Sequence, residues 1–343
     1  MTIKDIARLS GYSVGTVSRV LNNHPDVSKD TRARVLEVVK ANNFQPNTNA
    51  KHLKLQNSAA IAVLVKGTQN MLFADLLERV QAQLRDSGEE TMVCYLDEDA
   101  NEVAYALQLC KEQRPRGFVF LGGNMEYFLD AFRSFPIPSV LLTNTARSLT
   151  GENISSFTTD DAAAGEQVID YLVENGHRHI VLLGGYPTTS QISYQRLAGC
   201  RKAFQRHGIA FDEAIGFEPC RFSMEDGYQA AKRLLERNPD TTAIFAISDV
   251  IAIGAMRAIF DLGLKIPEDI SLVGYDGIAI GRYCVPRLST VAQDTRTLAQ
   301  KGIGDLLRRI HNSYDAVHQV VPFQLIQGES VRRLPASDEL ERY

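Results

Sequence analysis

Two features predict the fold class. A short basic N-terminal segment is patterned as three helices, and behind it two successive series of apolar runs alternate with amphipathic stretches. The first predicts an all-α helix-turn-helix head. The second predicts an α/β body of two doubly wound parallel-sheet subdomains, because buried strands separated by helices require crossover connections. At 343 residues, with 44% hydrophobic and 23% charged content, the chain is long enough for more than one domain and sits within the globular range.

Charge separates the same two parts. Residues 1–57 carry nine Lys/Arg against four Asp/Glu, a balance of +5, and the remainder carries −9, giving the overall −4. A basic head on an acidic body is the asymmetry expected where only the head meets nucleic acid.

In the head, Thr2 is placed to cap a first helix with Asp5 three residues on, and Ile3, Ile6, Ala7 and Leu9 form its apolar stripe. Gly11 and Tyr12 break the pattern. Ser13 then caps a second helix with Val14, Val17, Val20 and Leu21 as its apolar positions. Its outward face holds Gly15, Thr16, Ser18, Arg19 and Asn22; small residues permit close approach to a groove floor, and Arg19 can reach a guanine edge. Ser28 caps a third helix from Lys29 to Ala41, with Ala33, Leu36, Val39 and finally Phe44 expected inside.

The string from Thr2 to Asn22 resembles the opening of the lactose-repressor/galactose-repressor (LacI/GalR) family of bacterial transcription regulators, and the similarity continues to about residue 333. The resemblance implies a DNA-binding head over 1–45, a hinge helix over 46–57, an effector-binding and dimerisation domain over 58–335 and a tail over 336–343. It implies a periplasmic-binding-protein-like body whose halves, about 58–160 plus 291–320 and 161–290 plus 321–335, exchange strands near residues 290 and 320. The residues it places at DNA are Thr2, Lys4, Ser13, Val14, Gly15, Thr16, Ser18, Arg19 and Asn22 in the head, with Asn47, Ala50, Lys51, Leu53 and Lys54 in the hinge. Pro46 suits a helix start, but so short a helix needs DNA or a partner chain to hold it. Leu53 matches the leucine that wedges open a base step in the minor groove, which bends the duplex and adds contact.

In the body, strands are expected over Ala59–Val65, Thr91–Tyr95, Gly117–Leu121 and Ser139–Thr143, and again over Ile180–Gly184, Ala214–Phe217, Ala243–Ile247 and Ile270–Gly274. Helices are expected around 72–87, 101–113, 125–134, 161–175, 191–207, 226–237 and 249–262. Ligand belongs in the crevice at the strand carboxyl ends. Phe73 follows the first strand there. By family resemblance Arg196 clasps effector, and Phe222, Ser248, Asp249, Asp276 and Gln293 line the cleft. Asp276, one step past an apolar strand, suits acceptance of two hydroxyl hydrogen bonds. The chain departs from the family at Thr143-Asn144, where an acidic residue is common, at Leu72, where an aromatic is common, and over Thr188–Ile192, which lacks a second arginine.

Enzyme chemistry is not expected. There is no phosphate-loop, nucleophile-elbow or dinucleotide fingerprint. The pairs Gly122-Gly123 and Gly184-Gly185 read as turns, Asp160-Asp161 as a helix N-terminal carboxylate, and His177-Arg178-His179 as a surface turn rather than a metal site. No cofactor is implied. Five scattered cysteines suit a reducing compartment, and no apolar run is long enough to span a membrane. The N-terminus lacks the apolar stretch of a signal peptide, and the C-terminus lacks the heptads of a coiled coil. The expectation is a cytoplasmic, nucleoid-associated dimeric repressor that binds a pseudo-palindromic operator and is controlled by a sugar or sugar phosphate. The alternative is a solute-binding or sugar/nucleotide-metabolising protein with the same body.

Overall fold

The computed structural model describes residues 3–21, 27–42, 60–131, 135, 137–149, 153–186, 192–312 and 314–335. The chain divides between Ala59 and Ala60 into a small N-terminal unit and a large α/β unit.

The N-terminal unit has α1 (Ile3–Ser10), α2 (Val14–Leu21) and α3 (Lys29–Ala41). Gly11, at φ 77°, makes the turn after α1, where its amide and that of Tyr12 both donate to the Ala7 carbonyl. The Ser13 and Ser28 hydroxyls accept from the Thr16 and Thr31 amides, which caps α2 and α3. Ile6, Ala7, Val17, Val20, Val35 and Val38 form the core. Leu9, Val14, Ala33 and Leu36, expected inside, are exposed. In α3 the error is one of phase: Val35 and Val38 occupy the stripe, and a one-residue step rotates a helical side chain by about 100°. Phe44 lies outside the described residues.

The large unit contains two six-stranded sheets. The first has the order β11-β5-β4-β3-β1-β2, all parallel, from β1 (Ile61–Lys66), β2 (Thr91–Leu96), β3 (Gly117–Leu121), β4 (Ser139–Leu142), β5 (Ile154–Thr159) and β11 (His318–Val321). The second has the order β12-β10-β9-β8-β6-β7, from β6 (Ile180–Leu183), β7 (Phe217–Glu218), β8 (Ala243–Ala246), β9 (Ser271–Asp276), β10 (Ser289–Gln293) and β12 (Phe323–Ile326). Only the edge strand β12 runs antiparallel to its neighbour.

Continuous apolar runs follow from coverage on both faces. Along β1, Ile61, Val63 and Val65 pack with α4 (Met71–Asp86), whereas Ala62 and Leu64 pack with α5 (Glu102–Glu112). The chain passes between the halves after Thr159, after Gln293 and after Val321. The second passage lies three residues beyond the expected 290, because Val291 and Ala292 still pair with Tyr275 and Asp276. The strand expected over 214–217 is instead the short helix Glu213–Gly216, capped by Asp212, followed by the two residues of β7. All five cysteines are free, and among the described residues no helix is long and apolar enough to cross a membrane.

Candidate functional site

A cavity of about 410 Å³ lies between the halves of the large unit. Its walls are the carboxyl ends of strands: Lys66 closes β1, Asp97 follows β2, Gly122 follows β3, Thr143 follows β4, Asp276 ends β9 and Gln293 ends β10. This is where a doubly wound sheet presents side chains free of the ladder. Two wall residues, Thr143 at φ 76° and Asp276 at φ 118°, hold backbone conformations that L side chains rarely adopt. Strain of this kind costs on the order of 1–3 kcal/mol and persists where surrounding contacts fix it.

The floor is a buried polar network. Helix α7 (Asp161–Glu174) supplies Asp161 and α8 (Ile192–Arg206) supplies Arg196. Arg196 Nε donates to Asp161 Oδ1 at 2.8 Å, Nη1 donates to the Ile247 carbonyl, and Nη2 lies 3.8 Å from Asp276 Oδ1. The guanidinium stacks 3.5 Å from the Tyr275 ring centre, and the Tyr275 hydroxyl donates to Asp161 at 2.7 Å. Asp276 accepts from Gln293 Nε2 at 2.9 Å and from the Ser248 hydroxyl at 2.7 Å, and Thr159 donates to Gln293 Oε1. Ser248 occupies the N-cap of α11 (Asp249–Asp261) without capping it; its hydroxyl is turned to Asp276 instead. Burial pushes the Asp161 and Asp276 carboxyls above their ordinary values, with Arg196 opposing it. For Arg196, burial disfavours the charge, but Asp161, Tyr275 and Asp276 outweigh it and hold the guanidinium ionised.

Of the expected ligand residues, Phe73, Arg196, Phe222, Asp276 and Gln293 reach the cavity wall. Phe73 is also core, its ring lying over Gly122, where a Cβ would meet the ring at 2.7 Å. Ser248 acts through Asp276. Asp249 does not line the cavity, which corrects its placement: fully buried, it accepts from the Thr290 hydroxyl at 2.6 Å and the Ile278 amide at 2.8 Å. It thereby anchors the loop that follows Asp276. Asp161 is more than a helix-end carboxylate, since Asp160 makes the cap to Ala163 and Asp161 holds Arg196.

The opposite wall was not anticipated. Lys66 Nζ sits 2.6 Å from buried Glu102, whose other oxygen accepts from the Asn124 amide. Asn144 donates to the Gly123 carbonyl and so ties two wall loops together. At the rim, Arg221 spans the halves, 2.8 Å from Asp97 and 3.2 Å from Asp99. These residues follow strands without a local pattern, so only the fold assembles them.

His177 is buried rather than part of a surface turn, although Arg178 and His179 are exposed. Its Nε2–H donates to the Arg332 carbonyl at 3.1 Å, and Nδ1 faces the Thr242 hydroxyl at 3.0 Å. Among the described residues no cluster could hold a metal. Burial lowers the His177 pKa below its ordinary 6.5. The unfolded chain therefore takes up the proton first as pH falls, and stability is lost below about pH 6.5, by at most about 1.4 kcal/mol per pH unit for this one group. Urea midpoints measured from pH 7.5 to 5.5 should decline, and His177→Gln should flatten that slope; an unchanged slope would assign it to other groups.

In the head, Ser13, Val14, Gly15 and Arg19 are exposed and Thr16 and Ser18 half-buried on α2. The Ser13 hydroxyl is shared between the Thr16 amide and hydroxyl. Thr2, the Lys4 side chain, Asn22 and the hinge residues Asn47, Ala50, Lys51, Leu53 and Lys54 lie outside the described residues.

Residues 2–47 match the model of bacterial regulatory proteins, lacI family, and residues 169–331 match the periplasmic binding protein-like domain. The chain is 34% identical to the HTH-type transcriptional regulator MalR of Clostridium butyricum, over 96% of this chain and 99% of the relative. It is 31% identical to a probable HTH-type transcriptional repressor, ExuR, of Bacillus subtilis, over 97% and 99%. Among solved structures it resembles a Lac repressor dimer bound to operator and the anti-inducer ONPF (TM-score 0.71, 26% identity, 97% and 99% covered). It also resembles the transcriptional regulator CelR in complex with cellobiose (TM-score 0.70, 26% identity, 96% and 99% covered). With the head, the two-sheet body and the full-length likeness in agreement, the chain belongs to the lacI family of bacterial regulatory proteins, which are transcriptional regulators and not enzymes.

Proposed function

We propose that this regulator is a repressor whose hold on a pseudo-palindromic operator is set by a carbohydrate bound in the cleft of its body. The observation that carries the reading is the cavity wall, where Arg196, Asp276 and Gln293 converge in a buried network and Asp276 holds a strained backbone. Polar groups assembled at such cost at a cleft serve recognition. The chain acts as a homodimer in the bacterial cytoplasm, associated with the nucleoid. Its C-terminal half leaves Phe260, Tyr283 and Val285 strongly exposed, at 68%, 83% and 94%, apolar surface that a second copy would cover.

In this mechanism two heads insert α2 into successive major grooves about one helical turn apart. The hinge segments with Leu53, Ala50, Asn47, Lys51 and Lys54 pair in the minor groove. Closure of the two halves around ligand changes how the hinges approach one another, a coupling typically worth about 1–3 kcal/mol and reciprocal between ligand and DNA. The head's +5 makes operator affinity fall steeply with salt although the whole chain is acidic.

The test uses duplexes selected from random sequence by the full-length protein. Arg19→Ala should cost about 1–3 kcal/mol and relax preference at one base position per half-site. Unchanged preference in a titration against single-base variants would remove Arg19 from direct readout.

A further inference from the structure

The repressor reading leaves open which chemical class of carbohydrate the cleft accepts, and the arrangement of charge on its walls narrows that choice. We infer that the cavity selects an uncharged polyhydroxylated molecule, a neutral sugar, and discriminates against sugar phosphates and sugar acids; the inference rests on the effector reading above.

Among the described residues three cations reach the cavity wall, and each already faces carboxylate. Lys66 is 2.6 Å from Glu102. Arg196 is held by Asp161 and Asp276. Arg221 lies among Asp97, Asp99 and Glu98, at 2.8, 3.2 and 3.7 Å. Asp226 adds another carboxylate on the wall. Among the described residues, a phosphate or carboxylate entering here meets no wall cation with unmatched charge and several like charges at close range, in a setting where Coulomb terms are stronger than in water.

Two of the helix N-termini at the wall, those of α4 and α10 (Met224–Arg237), are already partly engaged by the chain itself. At the start of α4 the Leu72 amide donates to the Asn70 side chain and the Phe73 amide to the Asn70 carbonyl, and at the start of α10 the Asp226 amide donates to the Ser223 hydroxyl and the Gly227 amide to the Ser223 carbonyl. The Asp226 carboxylate in the first turn of α10 already answers that helix's dipole.

Hydroxyl groups, by contrast, find complementary partners. Ser193 is 2% exposed and lines the cavity, and its Oγ has no hydrogen-bond partner among the described residues. A buried hydroxyl without a partner costs free energy that a ligand hydroxyl, able to donate and to accept, would recover. Asp276 accepts one hydrogen bond on each oxygen from Gln293 and Ser248. A carboxylate offers about four lone-pair directions, so hydroxyl donors can still be received. Phe73 and Phe222 add apolar faces against which the C–H face of a sugar ring packs.

The experiment is thermal denaturation and calorimetric titration of the full-length protein with ribose, glucose and cellobiose, against ribose 5-phosphate, glucose 6-phosphate and glucuronate at equal concentrations, with adenine as a non-sugar probe. At least one neutral sugar should raise the midpoint while its charged counterpart does not. A charged sugar that binds as well as or better than its neutral form overturns the inference and leaves the effector reading standing, whereas stabilisation by adenine alone overturns both the inference and the carbohydrate identity of the effector. No shift with any probe, with operator binding intact, removes the effector reading along with it. Glu98→Gln keeps the side chain's shape and removes its charge, so it should narrow the preference for glucose over glucuronate by on the order of tenfold. A preference unchanged in E98Q would overturn the electrostatic basis of selection.

Discussion

Arg196→Ala should lower the thermal midpoint of the large unit by on the order of 10 °C and abolish the response of operator binding to ligand. The reason is the setting rather than the count of bonds. Arg196, Asp161 and Asp276 are all at least 94% buried, and Arg196 stands between the two carboxylates. Removing the cation leaves two acidic groups facing one another out of water, and breaking a buried pair in this way costs about 3–5 kcal/mol. For a unit of this size each kcal/mol moves the midpoint by about 2–4 °C. Both carboxyls will then take up protons more readily, since burial already pushes them upward and Arg196 is the chief opposing influence. The loss should therefore be smaller at pH 5 than at pH 8. Arg196→Lys keeps the charge but not the planar fork, so it should recover much of the stability and little of the ligand response. A midpoint within 2 °C of the parent at pH 8, measured by calorimetry at about that precision, would show that the network does not depend on Arg196.

The sequence made the architecture legible where burial is two-sided and apolar. The runs at β1, β3, β4, β6 and β8 announce themselves because helices cover both faces. β5 is equally buried but reads Ile-Ser-Ser-Phe-Thr-Thr, and it is tolerable in a core because its hydroxyls have partners. Ser155 accepts from the Val317 amide, Ser156 accepts from the Ala146 amide, and Thr158 donates to the Thr143 carbonyl. Helix α12 (Thr295–His311) shows no clean apolar stripe in sequence because arginines interrupt it; one of them, Arg309, is buried and donates to the Ser139 carbonyl and the Ser155 hydroxyl. Its neighbour Asp305 is buried as well. The site divides in the same way. Arg196, Asp276 and Gln293 lie in strings that carry a family pattern. Lys66, Asn124 and Asn144 follow strands far apart in sequence, and nothing local marks them as neighbours. Asp249 carries the family pattern yet turns away from the cavity, because its carboxylate is required by Thr290 and the Ile278 amide.

Gly199→Ala should destabilise the large unit by about 3 kcal/mol or more and reduce ligand affinity with it. On helix propensity alone the substitution would stabilise, by about 1 kcal/mol. Packing decides the sign. A Cβ at Gly199 would meet the Ala162 carbonyl oxygen at 2.0 Å and its carbon at 2.8 Å, and one at Gly165 would meet the Arg196 carbonyl oxygen at 2.4 Å. These are backbone atoms of the facing helix, so no side-chain rotation relieves the contact, and α7 and α8 must move apart. The pair that suffers is the one the site depends on, because α7 carries Asp161 and α8 carries Arg196 at 2.8 Å. The glycines therefore set the helix separation that keeps the guanidinium on its carboxylate. Gly304 in α12 is the internal control: it is exposed, and a Cβ there would meet nothing within 4 Å. Gly304→Ala should stabilise by about 0.5–1 kcal/mol through the backbone entropy it removes from the unfolded chain. Urea denaturation of both variants checks the argument. Equal and favourable effects would mean that α7 and α8 can separate without loss, and would break the link drawn between their spacing and the Asp161–Arg196 pair.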